Sequence, residues 1–257
     1  MWVWRKFQDL KLFTNGCSFT WGGELYKSLY DRNGELLEYS NPDPVNQERL
    51  TKVWPHHLSN HLGATECVNL SMGSGSNDRI VRTTLDFFTQ QSNLNEWTAV
   101  IQFAWPHRFE YWEEETQPWT LILPSCGTVG KDGYLDAFDR VSKFKDQVYR
   151  NYNDYTYSQK YWTQVVSLAN FFNANGIKYY FVNLLTSGFY NLLHEHQQAY
   201  LEKQVRWIGH GPRHNLVNMF ESKFESRTTA LYFSCCSGLD GYAIRSTLFG
   251  FQADALY

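Results

Sequence analysis

Ser18 stands where a side chain could do covalent chemistry. A short apolar run, Leu10, Leu12 and Phe13, leads into Asn15-Gly16-Cys17 and then Ser18. Such a run broken by Asn-Gly reads as a buried strand ending in a tight turn. Ligands in open α/β sheets collect just outside the carboxyl ends of strands, which places this hydroxyl at the lip of the sheet. Gly16 relieves crowding beside the hydroxyl, and the turn's backbone N–H groups suit a developing negative charge, the requirement of acyl transfer. Ser18 equally fits a turn or N-cap serine, a common use of that residue. Cys17 is a second nucleophile on the same turn. Neighbours on an extended chain face opposite ways, so its thiol is expected to pack inward.

A second glycine turn, Ser71-Met72-Gly73-Ser74-Gly75-Ser76-Asn77, follows a strand candidate at 66–70. A helix comes next, with Ile80, Val81, Leu85 and Phe88 on one face and Ser76 or Asn77 as N-cap. A glycine turn at a helix N-terminus offers N–H groups to an anion. Without a third glycine it is not a dinucleotide fingerprint. A third strand candidate, 100–104, runs into Trp105-Pro106-His107-Arg108-Phe109-Glu110. His107, Arg108 and Glu110 are therefore site candidates by position, and a solvated charged loop is the competing reading.

The block Gly16-Cys17-Ser18-Phe19-Thr20-Trp21-Gly22 resembles the first motif of the SGNH (GDSL-like) hydrolases, with Cys17 where that family usually has Asp. The resemblance runs in motif order from Leu10 to Arg108. It implies a three-layer α/β/α sandwich with a mostly parallel, flavodoxin-like sheet, and it gives Ser18 the role of nucleophile. Gly73 matches the second-block glycine whose N–H holds the oxyanion, with Gly75 as the alternative register. Asn77 is the one nearby amide side chain that could assist. The third block departs, because no Gly-x-Asn follows the 100–104 strand. The family's terminal Asp-x-x-His finds its nearest counterpart in Leu239-Asp240-Gly241-Tyr242, where Asp240 either matches the aspartate or begins a turn. No histidine follows it. Serine needs an adjacent base. His210 and His214 are the nearest alternatives, and His194 and His196 are weaker ones.

The elements that must position these groups fit one domain spanning 1–257. Residues 24–52 are polar and turn-rich, 54–62 read as a short helix, and 105–138 read as an insertion forming a lid or second cleft wall. Trp105, Trp112 and Trp119 lie seven apart in that insertion, and 120–123 suit a hairpin strand. The rings either stack on a sugar or acyl group or pack the lid together. Residues 139–173 read as mostly helical, 177–184 as a strand rich in β-formers, and 192–208 as a helix. Helix and strand in alternation imply parallel pairing.

Composition narrows the function. With 23 basic and 26 acidic residues, the chain has no charge excess directed at nucleic acid or an anionic membrane. No run approaches the roughly 18 apolar residues that span a bilayer. The MWVWRKFQDL start lacks the apolar stretch of a signal peptide. Five cysteines without C-x-x-C spacing argue against a disulfide framework or zinc site. His57 and His61 form an i, i+4 pair without the H-E-x-x-H pattern of a metalloprotease. The expectation is a cytoplasmic protein needing no cofactor or metal and acting on a small-molecule or glycan ester. Aromatic residues make up 18%, which suits a thick core or a ring-lined cleft. Two functions follow: a serine ester hydrolase, or a catalytically degenerate module that binds a glycan or protein through an aromatic cleft.

Overall fold

A computed structural model describes residues 10–21, 50–73, 75–112, 119–123, 127–129, 153–183, 187–208 and 212. Four strands form a parallel sheet: β1 (Lys11–Asn15), β2 (Glu66–Asn69), β3 (Trp97–Phe103) and β7 (Lys178–Asn183). Their spatial order is β2-β1-β3-β7. β1 is paired through Phe13 with Val68 of β2 and Ala99 of β3, and β3 is paired through Ile101 with Phe181 of β7. The chain leaves β1 toward β2 and later returns to lay β3 on the other side. That reversal, between β1 and β3, is where open parallel sheets bind ligands.

Side chains pack against both faces at the middle of this sheet, so the central strand β3 reads as a near-continuous apolar run. All seven residues of β3 are buried. Alternation along β1 sends Phe13 to one face and Leu12 to the other. On the Phe13 face the core is built with α3 (Asn77–Thr89), through Ile80 and Phe88, and α4 (Asp154–Ala174), through Tyr161, Val165 and Phe172. On the opposite face Leu12, Val100 and Val182 meet Trp54 and Leu58 of α2 (Trp54–Leu62). Full burial of each such side chain stabilises the fold by roughly 1.5–3 kcal/mol. Much of the aromatic content serves this core: Phe13 stacks on Phe87 at 4.7 Å, and Phe103 meets Phe181 at 5.1 Å.

Local chemistry sets the helix ends. Ser76 caps α3, its Oγ accepting the Arg79 N–H at 3.1 Å. Asn153 caps α4 by accepting the Thr156 N–H at 3.2 Å. Gly63 ends α2 in the left-handed region at φ 63°. The turn after β1 differs from expectation: Ser18–Trp21 forms a single helical turn, α1, because the N–H groups of Thr20 and Trp21 both donate to the Cys17 carbonyl. The expected strand at 120–123 is present as β5 (Trp119–Leu123). It pairs antiparallel with β4 (Phe109–Trp112) and β6 (Gly127–Val129) in a separate three-stranded sheet. Two further helices, α5 (Ser187–Tyr190) and α6 (Glu195–Gln204), follow β7. Among the described residues no helix is long and apolar enough to cross a membrane.

Candidate functional site

The parallel strands end on amide side chains, and these tie the turns at the carboxyl end of the sheet. At the end of β1, Asn15 Nδ2 lies 2.9 Å from Thr83 Oγ1 and 3.0 Å from Thr84 Oγ1 of α3, while its Oδ1 accepts the Gly16 N–H at 2.9 Å. At the end of β2, Asn69 donates to the Thr20 carbonyl at 3.3 Å and accepts the Ser71 N–H at 3.1 Å. Within β3, Gln102 Oε1 accepts the Thr20 hydroxyl at 2.8 Å, and its Nε2 donates to Cys17 Sγ at 3.2 Å. At the end of β7, Asn183 donates to the Pro212 carbonyl at 2.7 Å. A buried amide must find partners, and here the partners are the neighbouring turns.

These ties bring the two glycine turns together. The Met72 N–H donates to the Gly16 carbonyl at 3.2 Å, and the Gly75 N–H returns to the Met72 carbonyl at 3.0 Å. A Cβ at Gly75 would sit 3.2 Å from the Gly16 carbonyl oxygen and 3.7 Å from Cys17 Cα. The close approach therefore favours glycine there, since any larger residue would push on the Gly16 and Met72 carbonyls. Gly16 is crowded by its neighbours within the fold. A Cβ at position 16 would lie 2.9 Å from Thr20 Cβ and 3.1 Å from Gln102 Cβ. Cys17 does pack inward, at 2% exposure.

Ser18 is the first residue of α1, on the β1 side of this junction; its side chain lies outside the described part of the structure. Gly73 is buried in the facing turn. Asn77, the expected oxyanion assistant, is fully buried and holds the end of β3. Its Nδ2 donates to the Ala104 carbonyl at 3.0 Å and its Oδ1 accepts the Ala104 N–H at 2.7 Å. That pairing makes it a clamp between strand and helix. Asp240, His210 and His214 lie outside the described residues. His194 and His196 sit at the start of α6, where His194 Nε2 meets the Tyr155 hydroxyl at 2.7 Å.

The turn after β3 carries the remaining candidates. Trp105 and His107 lie with ring centroids 4.9 Å apart, both half-buried. Burial, reinforced by the Arg108 cation and opposed by Asp154, lowers the His107 pKa from 6.5 to about 4. Its imidazole is neutral at pH 7. The Glu110 carboxylate is 3% exposed and takes two donors from Arg82, Nη2 at 2.6 Å and Nε at 2.9 Å. Burial pushes its pKa up despite that pairing. Asp78 at the start of α3 is held by Lys160 at 2.7 Å and Gln164 at 2.8 Å, and it accepts the Glu110 N–H at 3.3 Å. Arg108 is 5% exposed. Among the described residues no group of three His, Cys, Asp or Glu side chains could hold a metal ion.

The strand amides Asn69, Gln102 and Asn183 were not singled out by sequence, and Asn77 was singled out for a different role. The signal for Gln102 is a lone polar residue inside an apolar run, which must be satisfied by something it packs against. The signal for Asn77 is weaker, because an Asn at a helix start is also an ordinary cap.

Comparison with protein families finds one match: the model of a family of unknown function, DUF6071, covers residues 34–226, well over half of the chain. The matched region begins beyond the Ser18 turn and takes in β2, β3, β7 and the turn carrying Arg108. No curated protein matches the chain.

Proposed function

The chain belongs to this family of unknown function, and for it we propose a serine ester hydrolase in which Ser18 is the nucleophile and the backbone N–H groups of Ser18 and Gly73 form the oxyanion hole. The supporting observation is the junction of the two glycine turns at one end of the parallel sheet, where the Met72 amide bonds the Gly16 carbonyl. Strand order β2-β1-β3-β7, with helical side chains against both faces, suits the three-layer, flavodoxin-like architecture that the SGNH resemblance implies.

In this reading Ser18 Oγ attacks the ester carbonyl carbon while His210 or His214 takes its proton and Asp240 orients the ring. The tetrahedral oxyanion is held by the two N–H groups. Collapse expels the alcohol, which takes the proton back from the imidazole, and water then hydrolyses the acyl-enzyme. The 105–138 segment acts as the lid, with Trp105 against the substrate. A fluorophosphonate probe is expected to label the wild type. Ser18→Ala should abolish labelling and lower p-nitrophenyl acetate turnover about a thousandfold or more. Failure of the folded wild type to react with the probe removes the reading.

One observation favours a module that keeps the fold and binds a glycan or protein without turnover. The described imidazole beside the site, His107, is too weakly basic at about 4 to serve as an effective general base at neutral pH. That reading predicts turnover equal to the Ser18→Ala background, with glycan-array binding weakened by Trp105→Ala.

A further inference from the structure

Arg108 is buried, and no carboxylate or other acceptor among the described residues meets its guanidinium. Only 5% of the residue is exposed, and its Nε has no hydrogen-bond partner. Arginine does not escape burial by losing its proton, so an uncompensated guanidinium in the interior is costly. Two carboxylates attached to this turn are engaged elsewhere: Glu110 by Arg82, and Asp78 by Lys160 and Gln164. Among the described residues, ion pairing therefore leaves Arg108 as the remainder; Glu113, Glu114 and Glu115 lie outside them.

Its position is fixed by two attachments to consecutive residues of α3. Ala104, before it, is clamped by the Asn77 amide, and the Glu110 N–H, after it, donates to Asp78. The intervening turn is drawn in by the Arg108 N–H to the Trp105 carbonyl at 3.2 Å. Residues 105–109 thus span the first turn of a 13-residue helix, whose N-terminal backbone dipoles also favour negative charge. The adjacent ring, His107, is neutral at pH 7 and competes for no anion.

We propose that Arg108 is the anchor of an anion-binding subsite at the carboxyl end of β3, taking the carboxylate or phosphate group of a small molecule. A planar guanidinium offers two parallel N–H donors to either oxyanion, a fit that a lysine ammonium lacks. The subsite stands whether or not Ser18 is a nucleophile. Probe labelling at Ser18 and anion binding at Arg108 are separate measurements and can fail separately.

Calorimetric titration of the full-length chain with inorganic phosphate, and separately with acetate, at ionic strength held constant with sodium chloride, tests it. The wild type should bind at least one of the two saturably with one site. Arg108→Met should weaken binding at least tenfold, and Arg108→Lys should fall between. A stronger response to phosphate assigns a phosphoryl ligand, and a stronger response to acetate a carboxylate. Thermal unfolding provides the second readout. In chloride alone Arg108→Met should unfold no lower than the wild type, because it removes an unpaired charge, and the binding anion should raise the wild-type midpoint only. The proposal is overturned if neither anion binds the folded wild type saturably, or if Arg108→Met binds as well. It is equally overturned if Arg108→Met unfolds at a lower temperature in chloride and the anions leave the wild-type midpoint unmoved, the signature of a carboxylate of the chain itself on Arg108.

Discussion

Two turns leave the same end of the parallel sheet and treat polar groups in opposite ways. After β1, every described polar side chain is bonded within the protein: Asn15 to α3, Thr20 to Gln102, Gln102 to Cys17. After β3, the buried Arg108 Nε has no partner among the described residues, His107 is held neutral and burial pushes the Glu110 pKa up. A satisfied network fixes geometry, as a scaffold for a reacting group must. An unsatisfied group stores a cost that a ligand can relieve. The first turn is thus built to position, and the second to receive.

Substitutions can break or sharpen this contrast. The largest effect is expected at Asn15→Ala, which strips partners from Thr84 and from the Gly16 N–H in a dry setting. It should cost about 3 kcal/mol, read as a lower urea midpoint. Gly16→Ala forces a methyl into Thr20 and Gln102 and should cost about 2 kcal/mol. A cost near zero for either would mean that the first turn tolerates slack.

His107→Gln probes the second turn through pH. The unfolded ring protonates near 6.5 and the folded ring only near 4, so between those values the unfolded chain holds more protons. Wild-type stability should therefore fall as pH drops from 6.5 to 4. His107→Gln should remove about 1–2 kcal/mol of that fall, a figure reduced for the solvent that still reaches the ring. An unchanged pH profile would place the ring in an ordinary setting. The smallest effect belongs to Thr20→Val, which deletes one hydroxyl donor to Gln102 and should cost about 1 kcal/mol.

Much of the frame was legible in the residue pattern. Trp54–Leu62 forms the expected helix with Pro55 in its first turn, Ser76 caps α3, and the β-rich run near 178 is β7. These features are local, decided by apolar period, capping and turn chemistry within a few residues. Gly16 shows where local reading ran short: its need for glycine was anticipated, but not the crowding by Gln102 on another strand. Asn77 read as an available amide, whereas folding closes it onto Ala104.

The sequence by itself determined the order of the main strands and helices, though not their first residues (β3 begins at Trp97 and α6 at Glu195), and that a hydroxyl, a glycine turn and a basic turn follow three successive strands. Only the tertiary structure decided which polar groups are answered and which are left waiting. Cys17 meets Gln102 across 85 positions and Asn15 meets Thr84 across 69, while Glu110 turns to Arg82 and not to its neighbour Arg108. Partners that distant are chosen by packing the whole chain at once, because hydrogen bonds act over a few ångströms in space and not along the sequence.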